Sequence, residues 1–318
     1  MKNRWLLLGG AGFIGCHVAQ AFRESEIEFI VLDNFSSGLL SRIENIYEYI
    51  EGDAMNSDLI IDTCLKFEIT GIINMAAFMQ ARESVRDPIK YWKNNLGVAI
   101  AIAEALYHLK IEKVILSSSC SVYGNTKDAT EETPMSPLSP YAQTKVASEQ
   151  VLAQACLENK CTFVSLRYFN AIGGGEFPFS VDTKEETLIP SVFRNILNGN
   201  NPVIFGDSFP TLDGTCERDF IDVRDLADAH VKVATSIGNS ECEYLNVSTG
   251  LNISVLEIVN LALRISGSHL KPEFVASKKG DPAAISAKPS LRLMEMGWHA
   301  NYTVEDSIRD HWKFITSN

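Results

Sequence analysis

The chain has 318 residues, 46% hydrophobic and 21% charged, with a formal net charge of −12, which suits one large or two medium globular domains. The acidic balance argues against nucleic acid as a partner, because phosphate contacts need clustered Lys and Arg and no basic run exceeds Lys278-Lys279. No stretch of about 18 apolar residues suggests a membrane partner, and the apolar run after Lys2 and Arg4 is broken by glycines too early for a signal peptide. The seven cysteines are odd in number and contain no Cys-x-x-Cys, so free thiols in a cytoplasmic protein are expected. The six histidines show no metal-ligand spacing, and no metal is expected.

In chain order, "RWLLL" reads as a buried strand, followed by a glycine loop and a helix over 13–25. Gly9, Gly12 and Gly15 form Gly-x-x-Gly-x-x-Gly, in which glycines let backbone approach a diphosphate at a helix N-terminus. The next strand, "EFIVLD", ends at Asp33, 18 residues past Gly15. A carboxylate there either accepts from the adenosine ribose hydroxyls, favouring NAD over NADP, or caps a turn. "IYEYIEGD" follows as a third strand, with Asp53 placed to meet an adenine amino group or to cap the helix over 57–67. "GIINMAA", a long helix over 88–109 and "KVILSSS" come next, then a helix over 141–158 and "CTFVSLRYF". Unalternating apolar strands separated by helices imply βαβ units and a Rossmann-type doubly wound parallel sheet.

The texture changes after about residue 171, where "IGGGEFPF" and "FGDSFPTLDGT" are loop-rich. Helices over 188–198, 224–236, 254–266 and 304–315 mix with short strands. The expected division is residues 1–170 as the dinucleotide-binding domain, with some later segments returning to it. Residues 171–318 would form mainly a smaller mixed α/β lobe for the substrate.

"SPYAQTK" opens the helix over 141–158 and places Tyr141 and Lys145 one turn apart, on one face. Alone, this is an ordinary helix surface. In context, Tyr141 lies 22 residues after Ser119, which ends a strand at the sheet edge where ligands bind. A free phenol has a pKa near 10. A neighbouring ammonium and a positive nicotinamide both favour its ionised form, so the expectation is a lowered Tyr141 pKa.

With these motifs on the page, the chain resembles the extended short-chain dehydrogenase/reductase superfamily and, within it, the UDP-glucose 4-epimerase family. The resemblance is carried by "LDNFSSG", "SSSCSVYG", "SPYAQTK", "LRYFNAIG", "LIPSVF", "IFGDSFPTLDGTCERDFIDVRDLADAHV", "YLNVSTG" and "KKGDPAA", across nearly the whole chain. It implies an NAD-dependent isomerase that removes the proton of a UDP-sugar's 4-hydroxyl with Tyr141, assisted by Lys145 and Ser119, and passes through a transient 4-keto sugar. It further implies cofactor contacts at Phe13, Ile14, Asn34, Ala54, Ala76, Ala77, Asn94 and Tyr168, besides the glycines, Asp33 and Asp53. Substrate contacts would come from Ser121, Asn170, Leu188, Phe205, Arg218, Lys278, Asp281 and Ile285. Arg218 suits a diphosphate by charge and fork geometry; its alternative is a surface ion pair with Glu217 or Asp219. Ile285 either flanks the sugar pocket and disfavours N-acetylated sugars, or faces a core. A homodimer through the helices over 88–109 and 141–158 is also implied.

The chain departs from the family pattern at Leu8, Asn74, Met79 and Lys278. Met79 removes a cation where phosphates gather and weakens the expectation of tight NAD retention. Other NAD-dependent sugar-nucleotide enzymes (4,6-dehydratases and decarboxylases) stay open as alternatives. They need an extra acid near the tyrosine, and "SSSCSV" has none. Epimerisation of an N-acetylated or uronate sugar nucleotide, and a non-catalytic dinucleotide-binding protein, also stay open.

Overall fold

The computed structural model describes residues 3–174, 181–184, 187–236, 238, 242–277 and 281–317. Six strands of the first half are β1 Arg4–Leu8, β2 Glu28–Asp33, β3 Tyr49–Glu51, β4 Gly71–Asn74, β5 Lys113–Ser119 and β6 Thr162–Tyr168. They form a parallel sheet in the order β3-β2-β1-β4-β5-β6, and the later strand Cys242–Val247 adds to β6 as the seventh. The pleat explains the apolar runs. Trp5 and Leu7 enter one core, with helices Phe13–Glu24 and Val223–Ser236, while Leu6 and Leu8 enter the other. That second core is covered by helices Ser57–Phe67, Gly97–Leu106 and Pro140–Asn159. A fully buried Val, Leu, Ile or Phe contributes about 1.5–3 kcal/mol, so the two covered faces hold this sheet rigid beneath its loops.

Chain order reverses between β1 and β4, the switch point at which a crevice opens beyond the strand ends. A third core gathers Ile172, Val192, Phe193, Ile204, Phe220, Ile258, Leu263 and Ile308 around helices Leu188–Leu197, Val255–Ser266 and Val304–Ser317. Three small sheets border it. One pairs Asn170–Ile172 with Phe220–Asp222, one joins Glu217–Arg218 to Ile253–Ser254 and Ala284–Ile285, and one pairs Val203–Phe205 with Glu273–Val275. Among the described residues, no helix is long and apolar enough to cross a membrane.

Two elements beside the Tyr141 helix differ from the sequence reading. The helix expected over 88–109 is interrupted: Pro88–Tyr91 passes through a π turn at Trp92–Leu96 into Gly97–Leu106. The π turn is where Asn95 is buried, and its side chain bonds backbone and side-chain groups of two other segments, a tertiary pull that helical periodicity does not record. A further short helix, Ala81–Arg86, lies in a stretch that carried no helix signal.

Candidate functional site

The glycine loop joins β1 to helix Phe13–Glu24. Gly9 sits at φ +79°, and a Cβ there would stand 2.8 Å from the Ala76 nitrogen, so the loop and the chain leaving β4 touch backbone to backbone. A Cβ on Gly15 would fall 2.3 Å from the Gly9 carbonyl oxygen. Gly12 is the N-cap of the helix and offers no side-chain acceptor, so the first N–H groups have no side-chain cap. Phe13 and Ile14 in the first turn are half-buried. Asp33, buried at the end of β2, accepts hydrogen bonds from the Ala11 nitrogen at 2.9 Å and the Phe35 nitrogen at 2.8 Å. It therefore braces the loop and still has lone pairs for ribose hydroxyls. Exposed Asn34 accepts from the Ser36 nitrogen. A diphosphate-linked dinucleotide fits this donor set.

Asp53 follows β3 and accepts from the Met55 nitrogen; Ala54 is buried beside it. The helix Ser57–Phe67 is capped by Asn56 instead, whose side chain accepts from the Leu59 nitrogen. The helix-cap alternative for Asp53 is thus excluded. Asn74 is buried at the end of β4 and accepts from the Ala76 nitrogen, shaping the half-buried Ala76-Ala77 turn. Leu8 is fully buried in the core. Asn94 donates only to the neighbouring Asn95 side chain among its described bonds. Asn95 holds Phe78 through both its nitrogen and its oxygen, and donates to Thr144 of the Tyr141 helix.

Ser139 caps the helix Pro140–Asn159 and Pro140 is its first residue, so Tyr141 and Lys145 lie in the first two turns. The Ser84 hydroxyl accepts from the Tyr141 nitrogen at 3.1 Å, and the Tyr91 ring meets the Tyr141 ring edge-on at 6.4 Å. Ser119 accepts from both the Ser121 nitrogen and the Ser121 hydroxyl, and hydrogen-bonds the Tyr141 phenol. Lys145 Nζ donates to the Ser117 carbonyl at 2.6 Å and lies 5.9 Å from the Tyr141 ring centroid. Phenol, hydroxyl and ammonium therefore meet at the carboxyl end of β5.

The electrostatics correct one expectation. Burial pushes the Tyr141 phenol up to about 12, only partly opposed by the Ser119 hydrogen bond. The lowered phenol expected from Lys145 and the nicotinamide together is not seen in the protein alone, where burial outweighs the Ser119 hydrogen bond. Lys145 itself falls to about 8 through burial, held from falling further by Glu149. Glu149 is 1% exposed; it accepts from Ser118, Ser165 and twice from Arg167, which is likewise buried. Tyr168 is buried between the Ser117 hydroxyl at 2.6 Å and His230 Nε2 at 2.5 Å, and burial raises its phenol and lowers the imidazole to about 4.

Across the crevice, half-buried Asn170 donates its backbone N–H to the Asp219 carbonyl, and Leu188 begins the helix Leu188–Leu197. The Arg218 guanidinium bonds the Glu217 carbonyl at 2.7 Å. Neither carboxylate proposed as its ion-pair partner is used that way. Glu217 pairs with Lys127, and Asp219 accepts from Thr249 and Gly250. Phe205 is partly exposed, with the Arg82 guanidinium 5.8 Å from its ring centroid, and Asp281 pairs with Arg82 at 2.7 Å. Half-buried Ile285 packs against a cluster that includes Cys120 and Phe169, so the core alternative accounts for one of its faces. Lys278 lies outside the described residues. Beside Met79 a cation arrives from another segment, with Lys184 Nζ 3.3 Å from the Met79 sulfur.

Ser84, Asn95, Glu149, Arg82 and Lys184 were missed in the sequence. Only Glu149 left a signal there, standing one further turn beyond Lys145 on the same helix face. Among the described residues, no group of His, Cys, Asp and Glu is placed to hold a metal ion.

A doubly wound sheet with this glycine loop, and with Ser, Tyr and Lys assembled at its edge, defines a dinucleotide-dependent enzyme of the extended short-chain dehydrogenase/reductase class. The chain belongs to the NAD dependent epimerase/dehydratase family, whose model matches residues 5–248. It is 33% identical over 331 residues to the UDP-glucose 4-epimerase of Bacillus subtilis (strain 168), covering 98% of this chain and 97% of that protein. The structure of the UDP-glucose 4-epimerase from Bifidobacterium longum in complex with NAD+ and UDP matches with a TM-score of 0.93 at 30% identity, covering 99% of each chain. That of the Brucella ovis UDP-glucose 4-epimerase in complex with NAD matches at 0.89 and 34% identity, covering 96% of each.

Proposed function

We propose that the chain is an NAD-dependent 4-epimerase that interconverts UDP-glucose and UDP-galactose through a transient 4-keto sugar. The observation that carries this reading is the Ser119–Tyr141 pair with Lys145 at the carboxyl end of β5, beside a dinucleotide-shaped loop. Gly9, Gly12, Gly15, Asp33 and the first turn of the helix Phe13–Glu24 would hold the cofactor, with Asp53, Ala76 and Ala77 along its edge. When bound, NAD supplies the acceptor for the C4 hydride and gives the same hydride back, so the net redox change is zero.

Tyr141 removes the proton from the sugar's 4-hydroxyl and returns it after the sugar has turned. Ser119 donates to the same oxygen as its charge changes, and Ser121 holds Ser119 in place. Lys145 is the chain's own positive charge beside the phenol. Arg218, Asn170, Phe205, Asp281 and the backbone at Leu188 keep the UDP portion fixed while the sugar rotates. Ile285, stiff at χ1 and backed by core, disfavours an added 2-acetamido group.

The exposed Ile100, Tyr107 and Leu157 on helices Gly97–Leu106 and Pro140–Asn159 and just beyond the first support a homodimer through this face. A groove of about 380 Å³ between those helices is lined by Ala103, Tyr107, Gln150, Val151 and Gln154. None of the seven cysteines forms a disulfide, which supports a cytoplasmic location. The test is separate incubation of the purified protein with UDP-galactose, UDP-N-acetylgalactosamine and UDP-galacturonate, with products identified. UDP-glucose from the first is expected as the dominant conversion; a product from only one of the others would replace this reading.

A further inference from the structure

Arg82 stands on the helix Ala81–Arg86, which also holds Ser84 against the Tyr141 nitrogen. Its guanidinium leaves that helix and reaches the opposite lobe, where it pairs with Asp281 at 2.7 Å and overlies the Phe205 ring at 5.8 Å. One arginine from the cofactor side thus occupies two of the groups assigned above to the nucleotide. The Arg82 side chain is 49% exposed and that of Asp281 19% exposed. An ion pair this open to water contributes little to stability and breaks readily when a better partner arrives.

A better partner is implied by the charge count. Burial raises the Cys216 thiol, Arg218 and Arg82 oppose that rise and Asp281 adds to it, so the three charges lie near one buried thiol. Arg218 bonds backbone carbonyls there, and Glu217 is neutralised by Lys127. Arg82 and Arg218 thus bring two guanidinium groups to this part of the site, in a chain of net charge −12. A sugar-linked diphosphate brings a negative charge on each phosphate. Releasing Arg82 from Asp281 would give it two matching guanidinium forks, and would free the Asp281 carboxylate for ribose hydroxyls.

We propose that Arg82 is a further nucleotide-positioning residue: paired with Asp281 it closes the crevice of the free protein, and on binding of a nucleoside diphosphate sugar it exchanges that carboxylate for the diphosphate. The proposal rests on the UDP-sugar reading. It gives the site a recognition element contributed by the cofactor side, so nucleotide binding draws the Ser84–Tyr141 support and the substrate lobe together.

The test compares wild type with Arg82→Ala and Arg82→Lys, each purified as the full chain with its cofactor. Calorimetry would use UDP and uridine as separate probes. Arg82→Ala is expected to weaken UDP by about tenfold or more, as for the loss of a charge-assisted contact. Uridine, which has no phosphate, should bind as well as before or better, because Asp281 is no longer occupied. Arg82→Lys should recover part of the UDP affinity, and in turnover the larger change in Arg82→Ala should fall on KM. Unchanged UDP affinity in Arg82→Ala overturns the proposal alone. An equal loss of UDP and uridine also overturns it, since the residue would then be only structural. A wild-type protein that binds no UDP overturns it together with the reading beneath it.

Discussion

Glu149→Gln should shift the alkaline limb of the pH–rate profile, because the Glu149 carboxylate holds the Lys145 pKa up against burial. Residues four apart on a helix have Cβ atoms about 5–6 Å apart. At about 6 Å and an effective dielectric of about 20, a carboxylate and an ammonium attract by about 3 kcal/mol. Dividing by 1.36 kcal/mol per pH unit gives a fall of about two pH units. Wild-type Lys145 at about 8 is mostly charged at neutral pH, whereas in the variant it would be mostly neutral. Turnover near pH 7.5 should drop by about twentyfold from this cause alone. Removing one partner of a buried pair also costs about 3–5 kcal/mol, so thermal denaturation must be followed in parallel and kinetics run below the melting range. Glu149→Asp keeps the charge and should restore much of the limb. Coincident alkaline limbs in wild type and Glu149→Gln would refute the claim that Glu149 acts through Lys145. The same group has a stability signature. Its folded pKa of about 8 lies below its ordinary 10.5, so between those values the unfolded chain binds the extra proton. Stability therefore rises with pH in that window, by up to about 1.4 kcal/mol per pH unit. The difference between wild type and Lys145→Met should show that slope.

Tyr141→Phe should keep the fold and melting behaviour and lower turnover by at least about a hundredfold; near-normal epimerisation would remove the phenol from the chemistry. NAD should bind far better than NADP because Asp33 is fixed at the ribose end by Ala11 and Phe35, and equal affinities by titration would place its carboxylate elsewhere. Lys184→Ala should lower the NAD retained after dialysis, since Lys184 stands where Met79 leaves no charge. Unchanged occupancy would remove Lys184 from the cofactor site.

The sheet was legible because its strands are apolar on both faces, which leaves no helical period to compete. β1, β2 and β5 coincide with "RWLLL", "EFIVLD" and "KVILSSS" to the residue. The helix start at "SPYAQTK" was legible from local chemistry, a serine cap followed by proline. What sequence did not carry is tertiary. Asn95 is buried only because Phe78 and Thr144 come to it from other segments. Arg82 and Asp281 meet across 199 positions, and Lys184 reaches Met79 across 105. The direction of the Tyr141 pKa in the protein alone was hidden for the same reason. Spacing places Lys145 one turn away, but only the fold turns its ammonium toward the Ser117 carbonyl and surrounds the phenol with protein.

In the proposed reaction the C4 hydride leaves the sugar and returns to it within one site. It is tested most directly with UDP-galactose carrying deuterium at C4, incubated with the purified protein in ordinary water. The prediction is UDP-glucose that retains deuterium at C4, read by NMR and mass spectrometry. UDP-glucose with the label washed out to solvent, or no UDP-glucose at all, would contradict it.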